Sequence, residues 1–317
     1  MEASSKLNIL VTGGDGFLGS FILKTLSKKS LHQVTSLIRN KNPIREKTYK
    51  EFLIPDKKNN FEWNEIMDKV DVVIHCAGKA HITKKDTKES LNQFRKANVD
   101  LTLEVAKEAV KAKVKRFIFI STIKVNGEIT NTYPFKINDK PNPSDAYASS
   151  KYEAETQLAS LCKESELETV IIRPPLIYGP GVKGNLALLF KSLKLGLPLP
   201  LRKVEGNKRS FIGIENLVDL IVKCVDHPRA ANKTFLVSDG CDLSTAELIR
   251  KIGKAISKPA KLFNVPLPLM KFLLKIIGKK ELTNRLFCNL QVDINYTCSE
   301  LDWSPPLQVE EGLKICH

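Results

Sequence analysis

Lys6-Leu-Asn-Ile-Leu-Val-Thr-Gly-Gly-Asp-Gly-Phe-Leu-Gly19 decides the architecture of this chain. The short apolar run up to Val11 reads as a buried parallel strand. Gly13, Gly16 and Gly19 follow at three-residue spacing and open a helix, where Phe17, Leu18, Ile22, Leu23 and Leu26 recur at helical spacing. Glycine permits the tight turn and lets backbone N–H groups reach a pyrophosphate at the helix N-terminus. A glycine-rich turn without a ligand is the bland alternative, and the strand–turn–helix context argues against it. Gly13, Gly16, Phe17, Leu18 and Gly19 are therefore candidate dinucleotide-binding residues.

Outward from this unit the same rhythm repeats. Apolar runs at 34–38, 70–75, 116–121 and 169–173 read as strands, with helical stretches at 90–112 and 146–162 between them. Such alternation predicts an α/β fold, a Rossmann doubly wound parallel sheet. After Arg173 the rhythm stops, at Pro174, Pro175, Pro180, Pro198 and Pro200. A helix at 216–225 and a strand at 234–237 are expected to return to the first lobe. The remainder, 243–317, is helix-rich with proline breaks, and reads as a smaller lobe closing over the sheet's carboxyl edge, where ligands bind in such folds. At 317 residues two lobes are the default. The expected division is a dinucleotide-binding domain at 1–173, with 213–238 returning to it, and a substrate lobe at 174–212 and 239–317.

Composition excludes more than it assigns. With 42% hydrophobic and 27% charged residues, the chain is ordinary globular material. Its seven cysteines form no CxxC pair and the five histidines do not cluster with them, so no metal site is expected, and a reducing cytoplasm fits. Residues 1–6 lack a signal-peptide layout and read as a frayed leader. The formal charge of +15 comes from 50 Lys and Arg against 35 Asp and Glu. No nucleic-acid-binding signature accompanies it, so nucleic acid is not expected as a partner. Spread lysines read as a solvated surface whose field would still attract a phosphate-bearing ligand.

Three further features carry chemistry. Leu37-Ile38-Arg39-Asn40-Lys41 closes the second strand with no acid for a ribose 2′-OH. Arg39 could pair with a 2′-phosphate, which favours NADP over NAD; a solvated strand-end charge is the alternative. Tyr147-Ala-Ser-Ser-Lys151 puts a phenol and an ammonium on one helix face. A lysine near the phenol would lower its pKa from about 10. The tyrosine could then exchange a hydroxyl proton while hydride moves. Ser121-Thr122 ends a strand at the carboxyl edge, where a hydroxyl could bond the reacting oxygen; an N-cap or turn hydroxyl is the alternative.

Together these residues resemble the extended short-chain dehydrogenase/reductase superfamily, in its NAD-dependent epimerase/dehydratase branch. The resemblance continues through His75-Cys-Ala-Gly78, Ala97-Asn-Val-Asp100, Arg173-Pro-Pro-Leu-Ile-Tyr-Gly-Pro-Gly181, Gly196-Leu-Pro-Leu-Pro200, Lys208-Arg-Ser-Phe-Ile212, Asn216-Leu-Val-Asp219 and Leu301-Asp-Trp-Ser-Pro305. It implies a catalytic set of Thr122, Tyr147 and Lys151. It implies NAD or NADP held by the glycine turn with Arg39, Ala77, Gly78, Asn98, Ser121, Tyr147, Lys151 and Pro174. Substrate would meet Lys124, Asn185 and Arg209, the arginine suiting a diphosphate by its planar fork. Family dehydratases carry Asp-Glu directly after the threonine, where this chain has Ile123-Lys124, so a 4,6-dehydratase is not expected.

The implied activity is hydride transfer at C4 of a nucleotide-activated sugar in surface polysaccharide biosynthesis. A UDP-hexose or UDP-N-acetylhexosamine 4-epimerase and an NADPH-dependent 4-keto reductase of a UDP-4-keto-6-deoxy-N-acetylhexosamine both remain open. A non-catalytic NADP-binding sensor is the reading from another class, and the presence of both Tyr147 and Lys151 speaks against it. A homodimer through 90–112 and 146–162 is implied by the same resemblance. Finally, 266–280 (PLPLMKFLLKIIGKK) could lie on a membrane surface. Its shortness favours a buried helix of the small lobe with lysines reaching outward, and no membrane association is expected.

Overall fold

The architecture is that of a computed structural model describing residues 6–28, 32–39, 49–53, 62–80, 88–276 and 280–316. The opening residues 1–5 lie outside the described residues. The strands are β1 (Asn8–Thr12), β2 (Gln33–Ile38), β3 (Lys50–Leu53), β4 (Val72–His75), β5 (Arg116–Ile120), β6 (Glu168–Arg173), β7 (Leu176–Tyr178), β8 (Phe211–Gly213) and β9 (Lys233–Leu236). Seven form one sheet in the order β3-β2-β1-β4-β5-β6-β9, every pair parallel. This is the doubly wound Rossmann order extended by one strand, with all carboxyl ends on one edge.

The helices are α1 (Phe17–Lys28), α2 (Trp63–Met67), α3 (Lys88–Arg95), α4 (Leu101–Lys111), α5 (Ala146–Lys163), α6 (Asn185–Lys194), α7 (Ile214–Asp226), α8 (Thr245–Ala255), α9 (Leu267–Ile276), α10 (Lys280–Phe287), α11 (Asn295–Leu301) and α12 (Val309–Lys314). Both sheet faces are covered, because strand neighbours point to opposite sides. Ile9, Val11, Ile74, Ile118 and Ile172 pack with Leu18, Ile22 and Leu26 of α1 and Leu217 and Ile221 of α7. Leu10, Val73, Phe117, Phe119 and Ile171 pack with Val105 and Ala109 of α4 and Ala154 and Leu158 of α5.

A third core lies beyond the sheet. Tyr178, Phe190, Phe211, Leu248, Ile249, Val309 and Leu313 form it around the two-stranded sheet β7-β8. Polar ties join the parts. Asp239 accepts hydrogen bonds from the Tyr178 hydroxyl (2.6 Å), the Gly213 N–H (2.9 Å) and the Asn216 amide (2.7 Å). Asn216 also exchanges two hydrogen bonds with the Leu307 backbone, and Asp219 accepts one from the Trp303 indole at 2.8 Å. The motif residues at 216–219 and 301–305 therefore serve architecture.

Two expectations need correction, and three strands were not anticipated. The stretch 90–112 is not one helix: a π-helical turn, Lys96–Asp100, separates α3 from α4. Strands β3, β7 and β8 are too short for a periodicity to announce them. The segment 266–280 is not buried within the small lobe. On α9 only Met270 is buried, while Leu269, Phe272, Leu273 and Ile276 are exposed. Residues 277–279 lie outside the described residues. Among the described residues, no helix is long and apolar enough to cross a membrane, and no group of His, Cys, Asp and Glu could hold a metal ion.

Candidate active site

The glycine turn stands between β1 and α1 at the carboxyl edge. Gly13 has φ +70°, and a Cβ there would meet the Ala77 backbone nitrogen at 2.8 Å. A Cβ on Gly19 would fall 2.2 Å from the Gly13 carbonyl oxygen. Only glycine lets α1 start so close to the β1 and β4 ends. Gly16 caps the turn by donating to the Gly13 carbonyl (2.9 Å), Phe17 packs edge-on to Phe21, and Leu18 is buried. The result is a cradle of backbone N–H groups at a helix N-terminus, the donor set that a dinucleotide pyrophosphate requires.

Arg39 is exposed just beyond β2. With Gly78, Lys79 and Lys96 it lines a cavity of about 350 Å³. The π-helical turn explains how this wall is built. It widens the helix so that fully buried Asn98 reaches the 78–80 loop. Asn98 accepts from the Lys79 N–H (2.8 Å) and donates to the Lys79 carbonyl (3.0 Å) and the Ser150 hydroxyl (2.9 Å). It thus holds Ala77 and Gly78 against α5.

Tyr147, Lys151 and Glu155 share one face of α5, which Asp145 caps by accepting from the Ala148 N–H at 2.7 Å. Tyr147 hydrogen-bonds with the Thr122 side chain. Thr122 also accepts from the Lys124 N–H at 3.3 Å. Buried Lys151 donates to the Ile120 carbonyl (2.8 Å) and lies 4.5 Å from the centre of the Phe119 ring. Burial brings its pKa down to about 8, with Cys76 and Glu155 opposing the shift. The tyrosine departs from the sequence-based expectation. Its phenol is pushed up to about 12, first by burial and then by the Asp145 carboxylate, and only the Thr122 hydrogen bond works the other way.

Ser121 and Thr122 separate by strand alternation. Thr122 faces Tyr147, whereas the Ser121 hydroxyl turns inward and donates to Glu155. Arg173 grips the same carboxylate through two nitrogens, at 3.0 and 2.5 Å, and donates to the Asn126 amide oxygen at 2.9 Å. Pro174 is buried beside them and accepts from the Ile123 N–H at 2.9 Å. This network under the site was not singled out from sequence. Its signal was Glu155, one turn after Lys151 on the same helix face. Nearby His75 is held between the Thr12 and Thr102 hydroxyls, and burial drops its pKa to about 3.

Lys124, Asn185 and Arg209, expected to meet substrate, sit on three separate elements. The Lys124 ammonium is held by Glu128 and, at 2.5 Å, by Asp145. Burial opposes its charge, yet these two acids together raise its pKa. Asn185 is exposed as the first residue of α6. Arg209 pairs with neither Glu205 nor Asp219: Glu205 pairs with Arg250, and Asp219 takes the Trp303 indole. Its guanidinium donates to the Cys288 carbonyl (3.0 Å) and the Asn284 carbonyl (3.4 Å) at the end of α10. Burial first, and then the positive charge of Arg285, bring Arg209 down to about 10. Cys288 and Glu128 oppose that shift, and a diphosphate would offset the charge that Arg285 adds.

The NAD dependent epimerase/dehydratase family profile matches residues 9–238. A Vibrio cholerae UDP-glucose 4-epimerase is 44% identical over 308 residues, covering 97% of this chain and 93% of the relative. An Escherichia coli O157:H7 N-acetyl-alpha-D-glucosaminyl-diphospho-ditrans,octacis-undecaprenol 4-epimerase is 25% identical, covering 86% and 82%. The crystal structure of a UDP-glucuronic acid 4-epimerase from Bacillus cereus with NAD superposes with a TM-score of 0.78 at 19% identity, covering 98% of this chain and 95% of that one. From the glycine turn to the end of the returning strand, the chain belongs to the NAD dependent epimerase/dehydratase family.

Proposed function

We propose that this chain is an NAD-dependent 4-epimerase of a UDP-hexose or UDP-N-acetylhexosamine. The observation that carries the reading is the Thr122–Tyr147 hydrogen bond above buried Lys151, in a chain 44% identical to a UDP-glucose 4-epimerase over 97% of its length. When bound, NAD supplies a reversible hydride acceptor. Gly13, Gly16, Phe17, Leu18 and Gly19 would hold its pyrophosphate, Arg39 would meet its ribose end, and Ala77, Gly78, Ser121 and Pro174 would wall it in. Asn98 positions that wall.

Tyr147 takes the C4 hydroxyl proton and later returns it, with Thr122 bonding the same oxygen. The Thr122 hydrogen bond favours the phenolate, against burial and the Asp145 carboxylate, which favour the neutral phenol. Lys151 holds positive charge beneath the reacting centre. Arg209, Arg285 and Asn185 bind the diphosphate while Lys124 meets the sugar. Anchoring at the diphosphate would leave the sugar itself free to turn within the site. The working form is a cytoplasmic homodimer joined through α3–α4 and α5.

Incubating the protein with UDP-glucose or UDP-N-acetylglucosamine and NAD, with anomeric proton spectra read over time, tests the proposal. Interconversion with the C4 epimer is expected; its absence with every UDP-sugar overturns it. A second reading, the NADPH-dependent 4-keto reductase, rests on Arg39, Lys79 and Lys96 around one cavity, where a 2′-phosphate would sit. Under that reading Arg39→Asp shifts preference from NADPH to NADH, and equal use of both by the parent protein removes it.

A further inference from the structure

The stripe Leu269, Phe272, Leu273 and Ile276 on α9 follows i, i+3, i+4, i+7 spacing, so all four side chains lie on one helix face. Each is between 47% and 67% exposed, whereas Met270, on the other side, is buried. Contiguous exposed apolar surface of this kind marks a docking site. It is set in a field of one sign. From Lys254 to Ile276 there are five lysines and no Asp or Glu. The segment from Lys183 to Lys203 carries five more cations and no acid.

The two segments are stitched together: Leu199 donates to the Lys261 carbonyl (2.9 Å) and accepts from the Phe263 N–H (3.1 Å), and the Lys258 ammonium donates to the Lys194 carbonyl at 2.6 Å. The second segment adds exposed Leu188, Leu195 and Leu197, and Phe263, bonded to Leu199 through the backbone, is exposed as well. Apolar side chains and unbalanced cations therefore occupy one part of the small lobe. Pairing this face with itself across a two-fold axis would bring cation against cation, which disfavours a second copy as its occupant.

We propose that α9 and the adjoining cationic segment seat this protein on an anionic lipid bilayer, with the helix lying in the headgroup plane. An amphipathic helix with one apolar face and flanking lysines inserts that face at the acyl boundary, while cations meet lipid phosphates. Helix α9 packs on α10, which carries Arg285, so the substrate side of the site would lie close to the membrane. The inference stands whether or not the proposed sugar chemistry is right.

Co-sedimentation of the full chain tests it. Vesicles of equimolar phosphatidylglycerol and phosphatidylcholine should retain the protein about tenfold better than phosphatidylcholine alone, and about 1 M salt should remove the difference because screening shrinks to about 3 Å. Phe272→Glu with Ile276→Glu should lower binding about tenfold, and Tyr133→Glu, an exposed aromatic outside the patch, should not. If the paired change unfolds the chain, Lys271→Glu with Lys275→Glu must weaken binding instead. Equal retention by both vesicle types, or undiminished binding by the folded variants, overturns the proposal. So does a change from dimer to monomer by light scattering in the Phe272→Glu and Ile276→Glu protein, because the face then belongs to a second copy.

Discussion

The α5 face and the Arg209 edge hold charge in opposite ways. On α5, Lys151 and Glu155 are buried, and each has its partners inside the protein: the Ile120 carbonyl for one, Ser121 and Arg173 for the other. At the other edge Arg209 and Arg285 stand near each other, and the contacts made by Arg209 are backbone carbonyls rather than a carboxylate. The first arrangement is complete once the chain folds. The second brings like charges together, which the diphosphate proposed above would offset. Catalytic groups need fixed geometry before substrate arrives, whereas a substrate anchor gains affinity from clustered charge of one sign.

The largest effect that sharpens this contrast is on rate. Tyr147→Phe should keep the fold and lose roughly 10²–10⁴ in turnover, the worth of a positioned acid/base group. Near-normal turnover would remove Tyr147 from the chemistry and leave the α5 face a packing feature.

Next comes stability. Glu155→Gln strips the buried Arg173 guanidinium of its carboxylate, and breaking such a pair costs about 3–5 kcal/mol. Thermal or urea unfolding should report a loss of that order. A melt within experimental error of the parent would mean that the network under Thr122 is not held by charge.

The smallest effect separates the two regions. Arg209→Ala should weaken UDP binding by roughly 1.5–3 kcal/mol, as for a hydrogen bond to a charged group, and lower stability by only about 1 kcal/mol for its carbonyl contacts. Calorimetric titration beside a thermal melt reads both. If the melt falls and UDP affinity does not, Arg209 belongs with Glu155 as a structural tie and the contrast collapses.

Much of this was legible in one dimension. Glycine spacing after an apolar run is local information, and so is the four-residue step from Tyr147 to Lys151, because both follow from turn sterics and helical period. Strand–helix alternation likewise announced a parallel sheet, since a crossover helix must cover each face.

What only the tertiary structure decided is where side chains find their partners. Ser121 and Thr122 are chemically alike and adjacent, yet one joins Glu155 and the other Tyr147. The rise of the Tyr147 pKa comes from burial and from Asp145, and neither strength can be read from spacing. Arg209 and Arg285 lie far apart in sequence and meet only in the folded chain. The apolar pattern of α9 showed that the helix has a greasy face, and the fold alone determined that this face turns to solvent. Local sterics act over a few residues and are written in order along the chain. Burial and charge pairing act through space, among segments whose separation in sequence carries no distance.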